Sequence, residues 1–255
     1  MSRNFDLLRQ LEDLPETDQE PSLRKSIEDL REIPRAKVDE PHLKEIPRAE
    51  TKQSVNDEIS RLVQSLFLAK GRELRNIVFC GVEDDSGGSF LCVDVGRALA
   101  ARSELVCLVD VNLRSYNLSR YFGVSLVPPR NTFLPPPVKE RCVKVETNLW
   151  LAGPDLFTNE RGKLLPVDEI ARLLARLRSV YSFVLIDTQS MSVSREATLF
   201  GNLADAAVLV VEAGVTRKSA ARKAKESLEA AGVSLIGTIL NNRSFPIPEK
   251  IYKRI

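Results

Sequence analysis

A chain of 255 residues in which 43% of the side chains are hydrophobic can bury a sizeable core in one domain. Its 37 basic and 35 acidic residues leave a formal charge of only +2, so bulk charge makes no case for a nucleic-acid partner. The opening "MSRNFDLLRQLEDLPETDQEP" is charged throughout, which excludes a secretory signal. No later apolar stretch approaches the ~20 residues that span a bilayer, so a cytoplasmic chain is expected.

Residues 1–54 hold few aromatics, many charges and several prolines, a composition that cannot bury enough apolar surface to offset ordering entropy. They are expected to form a disordered, charged tail. Within it "EIPRA" occurs at 32–36 and again at 45–49. A duplicated docking peptide and chance repetition in a biased composition both fit.

From Val55 the pattern changes. "VNDEISRLVQSLFLAKG" places Ile59, Leu62, Val63, Leu66 and Phe67 on one face of a helix over 55–70 and closes on a glycine. Runs rich in Val, Ile and Leu then alternate with helical segments: "NIVFCG", "ELVCLVDV", "NLWLAG", "SFVLIDT", "AAVLVVEAG" and "VSLIGTILN". This order predicts an α/β fold with a doubly wound, mostly parallel sheet over 55–243. Between the second and third runs, "VSLVPPRNTFLPPPVKERCVKVET" carries five prolines, which exclude a regular helix or a central strand, and an irregular surface excursion is expected. Residues 244–255 are expected to form a short basic tail. Cys80, Cys92, Cys107 and Cys142 lack metal-ligand spacing and read as reduced core residues.

Open parallel sheets bind ligands beyond the carboxyl ends of their strands. After the first apolar run comes "GVEDDSGGS"; the second ends at Asp110, followed by Asn112 and Arg114; "FVLID" delivers Asp187. A polyphosphate needs backbone N–H donors from a glycine-rich turn and a helix N-terminus, with Mg²⁺ held by a hydroxyl and carboxylates. Gly87, Gly88 and Ser89 supply the first part, and Asp110 and Asp187 the second.

The segment "IVFCGVEDDSGGSFLCVDVGRALAARSELVCLVDVNLRSYNLSRYFGV" resembles the Walker A and A′ region of the bacterial tyrosine kinases of capsule and exopolysaccharide synthesis, deviant-Walker P-loop proteins related to septum-positioning and partition ATPases. The resemblance continues through "NLWLAGP", "YSFVLIDTQS", "LADAAVLVVEAGVTRKSA" and "AGVSLIGTILNN". It implies ATP and Mg²⁺ as cofactors. By position it makes Ser89, Asp110 and Asp187 the metal set, the two carboxylates being the catalytic ones if the chain is active. Gly87, Gly88 and Ser89 become the phosphate loop and Asn241 the strand-end residue near adenine. Glu58 and Arg61 match the start of the family's Glu-x-x-Arg-x-x-Arg oligomerisation helix, whose third position here is Gln64.

Several departures touch the chemistry. Gly88 stands where the loop lysine belongs, Glu83, Asp84 and Asp85 make the loop acidic, Asn112 replaces the second Walker A′ acid, and Thr188, Gln189 and Ser190 follow Asp187 in place of Thr-Pro-Pro. No tyrosine-rich tail follows, since Tyr252 stands alone. The resulting expectation is a degenerate member whose ATP binding is weak or lost. It would be a pseudoenzyme serving as an interaction or regulatory subunit in polysaccharide assembly. Its partner would be a transmembrane polysaccharide co-polymerase or an intact paralogue, with self-association and recruitment to the inner membrane face through that partner. Two alternatives stand beside it: an active tyrosine autokinase or ATPase in which a cation such as Arg114 replaces the lysine, and a septum- or partition-type scaffold.

Overall fold

The computed structural model describes residues 52–67, 74–112, 117–124, 138–159 and 161–242. The expected tail, its repeated pentapeptide, Arg114, the proline-bearing stretch 125–137 and the basic C-terminus lie outside these residues. Among the described residues no helix is long and apolar enough to cross a membrane.

Helix α1 (Lys52–Phe67) leads into β1 (Asn76–Gly81), α2 (Gly88–Ala100), β2 (Val106–Asp110) and the short α3 (Asn117–Phe122). A 3₁₀ turn at Val138–Arg141 precedes β3 (Cys142–Glu146) and β4 (Leu149–Ala152), and then come α4 (Val167–Val180), β5 (Phe183–Asp187), α5 (Glu196–Leu203), β6 (Ala206–Glu212), α6 (Lys218–Ala230) and β7 (Leu235–Asn241). The seven strands lie in the order β3-β4-β2-β5-β1-β6-β7, all parallel except for the antiparallel β3–β4 pair. Every residue of β1 and β2 is buried, as expected of strands covered on both faces.

Side chains alternate across these strands, and the alternation separates two cores. Val78, Cys80, Cys107 and Val109 pack with Ile170, Leu174 and Leu177 of α4, Phe200 of α5 and Leu228 of α6. Ile77, Phe79, Val106 and Leu108 pack on the other side with Val63 and Phe67 of α1, Leu91 and Leu99 of α2 and Leu118 of α3. That is the doubly wound arrangement read from the apolar runs. Gly96 lets α2 approach closely, for a Cβ there would stand 2.8 Å from Leu108 Cδ2. The four cysteines are free and buried.

Two expectations need correction. Helix α1 begins at Lys52, three residues before the expected start. The segment read as wholly irregular contains β3, which pairs antiparallel with β4 at the sheet edge. Proline restricts its own position and the one before it, so the proline-free residues 142–146 remain able to pair, and an edge strand needs only one partner.

Candidate phosphate-loop and metal site

The loop between β1 and α2 is held by its own short-range bonds. Ser86 Oγ donates to the Glu83 carbonyl and accepts from the Glu83 N–H at 3.2 Å. Gly87 sits in the left-handed region with φ 84° and precedes the first residue of α2, while its carbonyl accepts the Leu91 N–H at 3.0 Å. Only glycine fits there, because a Cβ would lie 2.0 Å from Asn241 Nδ2. That amide, at the end of β7, donates to the Ser86 carbonyl at 3.0 Å. Asn241 therefore braces the back of the loop. The first-turn N–H groups of α2 have no acceptor within the helix and form the donor set of an anion site.

The carboxylates meet at the top of the sheet. Asp110 and Asp187 are register partners on the parallel strands β2 and β5, with 0% and 1% of their surface exposed. Asp110 accepts the Asn112 N–H at 2.9 Å and the Leu118 N–H at 3.1 Å. Burial pushes its pKa up to about 6, against the pull of those backbone donors. Asp187 is driven well above the ordinary carboxylate range by burial and then by the charge of Asp110. The Ser89 hydroxyl opposes that shift, yet neither Asp187 oxygen receives a well-aligned hydrogen bond. Ser89 Oγ in turn accepts from Asn117 Nδ2 at 3.4 Å.

The fold thus brings Ser89, Asp110 and Asp187 together. A buried, unpartnered carboxylate beside a second one and a hydroxyl is the donor set that a hard divalent cation takes, so the metal half of a metal-nucleotide site fits these residues. The cationic half does not. Gly88 opens α2 where a lysine would reach the phosphates, and among the described residues no Lys or Arg pairs with the loop acids, Asp110 or Asp187. A Cβ at Gly88 is nevertheless accommodated, meeting only Gly81 N at 3.5 Å.

Three polar residues that the sequence marked only as departures have partners here. Gln189 Nε2 donates to Asn112 Oδ1 at 2.9 Å, and Ser190 Oγ donates to Asp84 Oδ1 at 2.6 Å. Thr188 Oγ1 donates to the Phe79 carbonyl at 3.2 Å. Asp84 is therefore turned toward the segment after β5. Asp85 is exposed and strained at φ 61°. Glu58, Arg61 and Gln64 lie exposed on α1, opposite the face that packs on the sheet, and no ion pair joins Glu58 to Arg61.

The sheet order and the loop between β1 and α2 give the chain a P-loop NTPase-like fold. The chain superposes on the chimerical protein CapA2B2 with a TM-score of 0.64 at 21% identity, over 78% of this chain and 88% of that one. It superposes on the MinD cell-division protein of Aquifex aeolicus with a TM-score of 0.53 at 20% identity, over 71% and 72%. No family model matches the sequence. Its similarity to curated proteins is narrower than the fold: tyrosine-protein kinase YwqD of Bacillus subtilis is 25% identical over 198 residues, 75% of this chain and 83% of that protein. Tyrosine-protein kinase CpsD of Streptococcus agalactiae serotype Ia is 22% identical over 196 residues, 74% and 83%. Over about three quarters of its length the chain is similar to bacterial tyrosine-protein kinases.

Proposed function

We propose that the chain is a degenerate relative of these kinases, a pseudoenzyme that works as an interaction or regulatory subunit of capsule or exopolysaccharide assembly. The observation that carries the reading is Gly88 at the start of α2, with no cation among the described residues bonded to the loop in its place. A charge-assisted phosphate contact contributes about 1.5 to 3 kcal/mol, so losing it weakens ATP by roughly one to two decades. A carboxylate about 7 Å from a phosphate charge adds about 2 kcal/mol of repulsion at an effective dielectric of 20, before salt screening. Glu83, Asp84 and Asp85 all carry such a charge, and the hydrogen bond from Ser190 leaves that of Asp84 in place. The partner would be a transmembrane co-polymerase or an intact paralogue. Membrane recruitment would run through that partner.

Calorimetric titration with ATP·Mg²⁺ tests the reading. Wild type is expected to bind no tighter than about millimolar, roughly −4 kcal/mol. Gly88→Lys with Asp85→Gly should recover at least about tenfold, since a Cβ at 88 makes only ordinary contact and a glycine relieves the positive φ at 85. Micromolar binding by wild type would overturn the proposal.

The intact trio of Ser89, Asp110 and Asp187 favours one second reading, a retained autokinase or ATPase that takes its cation from elsewhere. ATP-dependent phosphate release abolished by Asp187→Ala would select it.

A further inference from the structure

Residues 188–192, directly after β5, form neither helix nor strand, yet Thr188, Gln189 and Ser190 are buried. Buried polar groups persist where they are paired, and here the partners lie on two sides of the site. Toward β1 and its loop, the Thr188 N–H donates to the Phe79 carbonyl at 3.2 Å, the Met191 N–H to the Gly81 carbonyl at 2.8 Å and the Ser192 N–H to the Val82 carbonyl at 3.2 Å. Ser190 Oγ donates to Asp84 Oδ1 at 2.6 Å and lies 3.0 Å from Ser192 Oγ. Toward β2, Gln189 Nε2 donates to Asn112 Oδ1.

We infer that residues 188–192 are a latch that holds the phosphate loop in its folded shape without a nucleotide, with Ser190–Asp84 and Gln189–Asn112 as its polar contacts. The loop needs such support. Asp85 adopts a left-handed conformation, which aspartate tolerates better than most residues but still at a cost, and neighbouring contacts help to fix it. The Ser86–Glu83 bonds and Asn241 supply part of that support from within and behind the loop, and the segment after β5 adds the contact to Asp84. Asp84 is then an anchor of the loop, and a hydroxyl donating to a carboxylate at this distance is of the charge-assisted kind. The segment runs on into α5, where Ser194 and Glu196 are hydrogen-bonded at the helix start, so the loop is tied through it to that helix. The latch holds whether or not ATP binds at all.

Hydrogen exchange of the full chain, without nucleotide and with a chelator present, tests this. Peptides spanning 81–90 are expected to be protected in wild type, and Ser190→Ala should speed their exchange by about tenfold or more through local opening. Ser190→Thr, which keeps the hydroxyl, should retain protection, and Asp84→Ala with Ser190→Ala should add nothing to either single change. Faster exchange confined to 188–194, additive effects, or an unprotected wild-type loop would each overturn the latch. If Ser190→Ala fails to fold, Asp84→Ala removes the same contact from its other partner and Gln189→Ala removes the contact to Asn112, and unchanged exchange of 81–90 in both would overturn it. No arm contains ATP, so the outcome is separate from that of the titration.

Discussion

Asp187 carries a carboxylate with almost no exposure and no well-aligned hydrogen bond, directly beside Asp110. Both pKa values are raised on folding, and the sign of the consequence follows. Below about pH 4 each group is protonated in the folded and unfolded chain alike, and burial carries no charge penalty. As pH rises, the unfolded chain releases protons that the folded chain retains, so stability falls. The share due to Asp110 levels off above about pH 6, while that of Asp187 continues. Thermal melts from pH 4 to 7 in chelator should show wild type losing stability with rising pH. Asp187→Asn should flatten that fall and melt higher than wild type at pH 7; equal slopes would contradict it. Ser89, Asp110 and Asp187 were legible in the sequence because strand ends and a glycine-rich turn fix where side chains converge in a parallel sheet. The bond between Ser190 and Asp84 was not, because its partners are 106 residues apart and neither residue type signals the other.

Among the elements, those covered on both faces were the readable ones. β1, β2, β5 and β6 appear as unbroken apolar runs. β3 reads "CVKVE", is half-exposed and lies beside a proline-rich stretch, so nothing local marks it as a strand. On α1 the apolar stripe of Ile59, Leu62, Val63, Leu66 and Phe67 packs as its helical spacing requires. Substitutions on the opposite face therefore leave the core intact. Wild type is expected to associate with itself or an intact paralogue through that face. Glu58→Ala with Arg61→Ala should lower the assembled mass in light scattering while leaving the melting temperature within about 2 °C, as surface changes usually do. An unchanged mass, or a wild type that stays monomeric alone and with its paralogue, would remove α1 from any interface.

At the scale of the whole molecule, the sheet divides two cores, and the four thiols lie inside them. Burial raises the pKa of Cys80 to about 12 and pushes Cys92 and Cys107 well above the ordinary range, so thiolate is scarce as well as inaccessible. An aromatic disulfide reagent should react with these three only across the global unfolding transition. Any of the three reacting quickly in the native protein would mean that the sheet opens locally. β1 occupies the middle of this sheet, between β5 and β6, both made later in the chain. Ser86 and Asn241, whose side chain braces the loop, are separated by 155 residues. At about 5–20 residues per second, a ribosome needs roughly ten to thirty seconds to travel that distance. For that interval the loop residues have left the peptidyl-transferase centre without their brace, and β1 has neither neighbour through most of it. The site is thus encoded early and assembled last. A nascent chain halted before β7 would carry every phosphate-loop residue and both carboxylates, but not the amide that holds the loop from behind.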